Sequence, residues 1–436
     1  MLDHAAASLP ADEAPASRRA VVSWCLYDFA NSPFTTLVVT FIYASYFTQA
    51  IAPDTISGTL SWSRSVTIAA LVVALLSPVL GVIADRGGYR KFFLLLWTVA
   101  CVLFTALLYL PVPGQVFEAL LWFTLANIAF EMSLVFYNAL LPDIAARDRI
   151  GRISGYGWSL GYVGGLAAMA VAFVGFVDAE VPWFGFTREA GAHIRATNLL
   201  VAAWLVVFTL PLLFWVRETQ PRAPLSSRML FSSFRHLAVA FRDVRRYREI
   251  SKLLLARLLY NDGLVTIFAF GGIYATGTFG FTFSELMIFG LALNVAAGVG
   301  AFFLGHLDDR IGGKRTIQIS LWGLIIAAIV AILTTSRAMF WAACILVGIC
   351  SGPNQSASRS LLGRFVPREK ENEFFGLFAF SGKATAFLGP LLVGILTSHF
   401  DSQRVGMSTM LLFFAAGLWL LRYVDEEKGC RDSGRN

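Results

Sequence analysis

The stretch Gly81-Val82-Ile83-Ala84-Asp85-Arg86-Gly87-Gly88-Tyr89-Arg90-Lys91 decides the fold, because a hydrophobic run of helix length stops there, turns on two glycines and restarts as another hydrophobic run. It reads as a tight, charged hinge between two membrane helices. The same pattern returns as Gly305-His306-Leu307-Asp308-Asp309-Arg310-Ile311-Gly312-Gly313-Lys314-Arg315, in register at an offset of 305 − 81 = 224. The chain therefore reads as a duplication.

Composition agrees. With 57% hydrophobic and 14% charged residues and 38 Phe in 436 residues, the chain is no soluble globular domain, in which about a quarter of residues are charged. The net charge of +7 does not point to nucleic acid, because the basic residues lie in short loops between apolar runs. The five cysteines (Cys25, Cys101, Cys344, Cys350, Cys430) lie mostly inside apolar runs and the five histidines are scattered, so neither a metal site nor a disulfide framework nor any cofactor is expected. Residues 1 to 20 lack an apolar h-region, and the first span itself is expected to direct insertion.

Taking a span to need roughly 20 apolar residues, twelve are expected, at about 22–50, 62–83, 92–111, 116–140, 153–177, 197–216, 252–277, 283–304, 316–335, 338–360, 374–397 and 405–424. The fold class is thus an all-α membrane protein of two six-helix pseudo-repeats. About 28 of the 35 Lys and Arg fall on the side of the 84–91 hinge, which the positive-inside rule makes cytoplasmic, together with both termini. The expected organisation is an N-terminal tail over 1–21, a six-helix half over 22–216, a linker over 217–250, a second half over 251–424 and a tail over 425–436. In the linker Phe234, Leu237, Phe241 and Val244 recur at helical spacing among arginines, which predicts an amphipathic helix on the inner leaflet. On the opposite side, the aromatics of Pro182-Trp183-Phe184-Gly185-Phe186 are expected at the membrane interface.

Ionisable groups inside spans are costly, and those present are functional candidates. They are Asp28, Glu131, Arg257, Asp262, Arg359 and Lys383. The first and seventh spans, equivalent in the repeat, each carry a Tyr-acid cluster, Tyr27-Asp28 with Asn31-Ser32-Pro33 and Tyr260-Asn261-Asp262-Gly263. Pro33 and Gly263 are expected to loosen the backbone just after the acids, a pattern that marks binding sites; the alternative is that the two acids merely tie helices together. Asn127 and Glu131, four apart, share one helix face. A carboxyl at the depth of Glu131 can carry a proton, or else forms a permanent pair with Lys383 or Arg257. The glycines of Gly155-x-Gly157-x3-Gly161-x2-Gly164-Gly165 and of Gly376-x5-Gly382-x6-Gly389-Pro390 read as close-packing faces. No nucleotide loop, G-x-S-x-G or H-E-x-x-H occurs, so an enzyme is not expected.

The hinge motif resembles the loop signature of the major facilitator superfamily, with one extra residue (Tyr89, Gly313) before each basic pair. With Trp24-x-x-Tyr27-Asp28-Phe29-Ala30-Asn31-Ser32, and Ile194-Arg195-x-Thr197 leading to Trp204 and Pro211, it is similar to the branch of vacuolar amino-acid effluxers of autophagy and their bacterial relatives. The resemblance implies a secondary transporter, acting as a monomer in the inner membrane, that moves a small solute such as an amino acid by alternating access, coupled to protons. It implies a central cavity lined by the first, fourth, seventh and tenth spans, which would gather Asp28, Asn31, Asn127, Asp262, Asn354, Gln355 and Arg359 as substrate or gating residues and Glu131 as the proton carrier. It further implies a conformational latch made of Gly81, Asp85, Arg86, Gly88, Arg90 and their counterparts Gly305, Asp309, Arg310, Gly312 and Lys314, with Asp85 accepting hydrogen bonds from the start of a neighbouring helix, most plausibly the eleventh. A non-transporting sensor or scaffold and a polytopic enzyme are the alternatives.

Overall fold

The structure, a computed structural model, describes residues 17–146, 148–216, 247–281, 283–386 and 388–434. The expected linker helix, except for its last residues, lies outside the described residues, as does most of the N-terminal tail. The spans are α1 (Arg18–Ile51), α2 (Thr55–Gly87), α3 (Arg90–Leu107), α4 (Val116–Ile144), α5 (Ile150–Val177), α6 (Ala192–Trp215), α7 (Arg248–Phe279), α8 (Phe283–Ile311), α9 (Gly313–Leu333), α10 (Arg337–Phe365), α11 (Arg368–Phe400) and α12 (Gln403–Leu421), followed by a short α13 (Glu426–Asp432). Eleven of them are long and apolar enough to cross a membrane. The exception is α10, whose half Ser351-Gly352-Pro353-Asn354-Gln355-Ser356-Ala357-Ser358-Arg359-Ser360 is polar and almost wholly buried. A span that faces protein rather than lipid can carry such side chains, because neighbouring helices satisfy them.

Apolar side chains divide between two destinations. Leu71, Leu75, Phe117, Phe214, Leu333 and Leu412 stay exposed, as a lipid-facing collar requires. The buried ones form separate clusters. Two lie within residues 20–216, and a third lies within 250–424 together with Ala139. Between these bodies the main seams are α5 against α8 and α10, and α2 against α11. Both seams cross at glycine: a Cβ on Gly81 would come within 2.4 Å of the Asn372 carbonyl oxygen, and one on Gly155 within 2.5 Å of that of Ala301. The glycine faces of α5 and α11 therefore pack as expected.

The hinges turn on a single left-handed glycine each, Gly88 at φ 65° and Gly312 at φ 91°, the same register position in the two copies. One expectation about helix breaks fails. Gly263 lies inside the uninterrupted α7 and faces the Phe414 ring, so it is a packing glycine; beyond Pro33, α1 continues as wide π-turns over Phe34–Phe41. A break instead occurs in α11, between its pieces Glu371–Lys383 and Leu388–Phe400.

Candidate functional site

The polar groups of the interior form three tiers, counted from the hinge end. In the outermost, Asp85 at the end of α2 accepts the Asn372 backbone N–H at 3.1 Å, the Asn372 side-chain amide at 2.7 Å and the Glu373 N–H at 2.8 Å. These donors belong to the first turn of an α11 piece, where helical N–H groups have no partner of their own and the helix dipole favours an anion. Arg90, fully buried, ties the same corner together through Asp85, Asp143, Glu371 and the Arg368 carbonyl. Asp309 repeats the arrangement on α5. It accepts from Gly151 N at 2.8 Å, Arg152 N at 3.2 Å and Arg152 Nε at 2.7 Å.

Arg364 lies behind Asp309, with Nη1 2.6 Å from Asp308. Glu426 of α13 accepts from the N–H groups of Gly313 and Lys314, while Lys314 Nζ reaches the Arg422 carbonyl. Gly305 lets α8 approach Gly151 and Gly155 closely. Arg310 is exposed, and the side chain of Arg86 lies outside the described residues.

The second tier is a knot around Arg359 of α10. Its guanidinium donates to Asp28 Oδ2 at 3.1 Å on α1, to Asn138 Oδ1 at 3.2 Å on α4, and to the hydroxyl and carbonyl of Ser154 on α5. It lies 4.7 Å from the Trp24 ring centroid, near Tyr137 and Trp158. A fork of five donors stacked on aromatic rings is a use of arginine that lysine cannot copy. Trp24 is itself fixed, since its indole donates to the Tyr137 carbonyl at 3.1 Å and Tyr137 returns a bond to the Trp24 carbonyl at 3.0 Å.

The third tier begins seven residues further along α4, about 10 Å at the helical rise. There Lys383 Nζ of α11 donates to Glu131 Oε1 at 2.6 Å, and the two side chains keep 33% and 21% of their surface accessible. Arg257 of α7 donates to the Phe378 carbonyl and the Ser381 hydroxyl and lies over the Phe378 ring at 3.6 Å. Asn261 donates to the Gly382 carbonyl and accepts from Gln355, which links α7, α10 and α11.

Most of the expected residues are thus brought into one column, with two qualifications. Asn354 is turned to α9, where its amide donates to the Ser320 hydroxyl at 3.0 Å. Asp262 joins no other charged side chain; both of its oxygens are buried without a hydrogen-bond partner among the described residues. Asn31 and Asn127 are buried on α1 and α4. Sequence reading missed Ser154, Asn372 and Glu371, each of which gains its meaning from a helix remote in sequence; it also missed Thr385, whose only signal is its place in the broken stretch of α11.

Comparison with known proteins agrees with this architecture. The family model described as "Vacuole effluxer Atg22 like" matches residues 62–434. The chain is 28% identical over 410 residues to the uncharacterized MFS-type transporter YxiO of Bacillus subtilis (strain 168), covering 93% of this chain and 94% of that protein. It is 23% identical to autophagy-related protein 22 of Yarrowia lipolytica, over 86% and 76% of the two chains. Among solved structures, the human organic anion transporter MFSD10 (TETRAN) superposes with a TM-score of 0.72 at 14% identity, over 94% of this chain and 100% of that one. The outward conformation of the transporter FucP superposes with a TM-score of 0.72 at 11% identity, over 93% and 98%. With the hinge motif in both halves, the twelve spans and the family match over most of its length, the chain belongs to the Atg22-like family of major facilitator transporters.

Proposed function

We propose that this transporter moves a small zwitterion, an amino acid or related metabolite, by alternating access coupled to protons, in a bacterial inner membrane with the hinge end and both termini in the cytoplasm. The supporting observation is the partly accessible Glu131–Lys383 pair at mid-depth, with the buried Arg257 near it: two cations and one carboxylate. The excess of positive charge suits the carboxylate of such a solute. In this reading the carboxylate displaces Glu131 from Lys383, and protonation of Glu131 assists the exchange, so solute and proton move together. Asp28, Asn31, Asn127, Asp262, Gln355 and Arg359 serve as contacts or gates. Asn354 acts only indirectly, through α9. In the same reading two six-helix halves (22–216 and 251–424) rock about the hinge-end seams, and the protein works as a monomer in the bilayer.

The test is a thermal-stability screen of the purified protein against amino acids and organic acids, followed by uptake of each hit into proteoliposomes under an imposed pH gradient. Stabilising solutes that are zwitterions and accumulate would support the reading. Hits that bind without flux would favour the sensor or scaffold alternative.

A further inference from the structure

The unpaired carboxylate of Asp262 faces a place where α11 is interrupted. Asp262 is 1% exposed, and both of its oxygens lack a hydrogen-bond partner among the described residues. The buried hydroxyl of Thr385 stands beside it. Thr385 lies in the break. Ala386 N bonds the Lys383 carbonyl at 3.3 Å and Leu388 N bonds the Thr385 carbonyl at 2.7 Å, three-residue turns in place of the four-residue ladder. Gly389 then lets the second piece of α11 press against Thr266 and the Asp262 carbonyl.

The cations that lie deepest on the elements packed around Asp262 are engaged elsewhere. Arg257 on its own helix binds Phe378 and Ser381, and Lys252 binds Glu249. On α11 Lys383 binds Glu131; on α10 Arg359 binds Asp28 and Arg364 binds Asp308; on α12 Arg404 binds the Ile332 carbonyl. The acids of neighbouring elements, Glu131, Asp308 and Glu426, have partners of their own.

An ionised carboxylate buried in this way costs several kcal/mol unless a positive charge joins it. Unwound helix segments next to a carboxylate at mid-membrane are where transporters hold coupling ions. We infer that Asp262 and Thr385 form a binding site for a monovalent cation, a proton or a sodium ion, distinct from the Glu131–Lys383 pair. In the transport reading, on which only its coupling role rests, this ion is a second coupling ion whose release is tied to movement of the two pieces of α11.

The site is testable without flux. The melting temperature of the purified full-length protein would be followed across a series exchanging choline chloride for NaCl at constant ionic strength, and separately across pH. The wild type is expected to be stabilised by sodium or by acidification, and which of the two does so identifies the ion. Asp262→Asn, an isostere of the neutral carboxyl, should be at least as stable and should lose that response, while Glu131→Gln retains it. A wild type with neither response, or an Asp262→Asn protein that keeps the full response, overturns the site. Should Asp262→Asn fail to fold, Thr385→Val leaves the charge in place and should shift the half-effect by about fivefold, the worth of one hydrogen bond; an unchanged half-effect overturns the site equally. If wild-type proteoliposomes show no solute flux, the transport reading falls while the ion response still decides this one.

Discussion

Asp85 and Asp309 hold one register position in the two copies of the hinge, and each caps a helix of the other half: Asp85 Oδ2 accepts the Glu373 N–H, and Asp309 Oδ1 the Gly151 N–H, both at 2.8 Å. Opening the hinge end must break these bonds. Asp85→Asn removes the charge and offers an amide to an N–H, which costs about 1.5–3 kcal/mol for a charged hydrogen bond, roughly tenfold or more in the closed-to-open ratio. Protein level should hold while transport slows. Labelling of a cysteine placed at the buried Ser356 position should rise about tenfold from the hinge side; no rise would refute the latch.

Asp309→Asn should act in the same direction and less strongly. Its nearer partner Arg152 is 37% exposed and its buried partner Arg364 stands at 3.4 Å, whereas Arg90 beside Asp85 is 1% exposed at 3.2 Å, so water screens the second latch more. The same labelling assay on both single variants and the double variant checks the order. The double variant should approach the sum of the two, since the residues share no partner.

Arg359→Ala strands Asp28, Asn138 and Ser154 in a buried place, and loss of one partner of a buried pair costs about 3–5 kcal/mol. Arg359→Lys should recover only part of it, because one ammonium cannot reach partners on three helices. Thermal melting of both variants, set against the double variant Asp28→Asn/Arg359→Ala, measures the coupling. If the double variant is no more stable than Arg359→Ala, the knot is not an ion pair in energetic terms.

Glu131→Gln imitates the protonated acid and frees Lys383. Uptake driven by a pH gradient should be abolished while counterflow exchange persists. Lys383→Met should impair both, and a Glu131→Gln/Lys383→Met pair should be less impaired than Lys383→Met alone. Wild-type accumulation by the Gln variant would remove Glu131 from proton movement.

Orientation follows from two exposed turns. With Cys430 replaced by Ser, Pro113→Cys should react with an impermeant maleimide in intact cells, and Glu369→Cys, near the hinge end, only in inverted vesicles. The reverse pattern would overturn the cytoplasmic assignment of the hinge.

The match between sequence and structure is uneven for physical reasons. The hinges, the span order and the glycine faces were readable because lipid imposes a local rule: backbone groups must pair within the segment, so a span reads as helix with its own apolar length. The capping of α11 by Asp85 was also readable, since an acid at a helix end needs donors and the free N–H groups of a helix start supply them. Span ten fell short of the membrane criterion because the rule counts lipid contact, while half of that helix is wrapped in protein. Gly263 does not loosen α7 as its sequence context suggests, since a glycine that admits the Phe414 ring looks the same in sequence as one that weakens a helix.

By itself the sequence determined that this chain crosses a membrane in duplicated halves, each with a charged hinge between two of its spans, because hydropathy, repeat offset and turn glycines are properties of neighbouring residues. Only the tertiary structure decided the partners of the buried charges. Asp28 meets Arg359 across 331 positions and Glu131 meets Lys383 across 252, whereas Asp262 meets no cation. Charges separated by hundreds of residues, in spans one and ten or four and eleven, carry no local signal of pairing. Their fate is set by the angle and depth at which helices of opposite halves cross, and those follow from packing at Gly81 and Gly155, far from the charges in sequence.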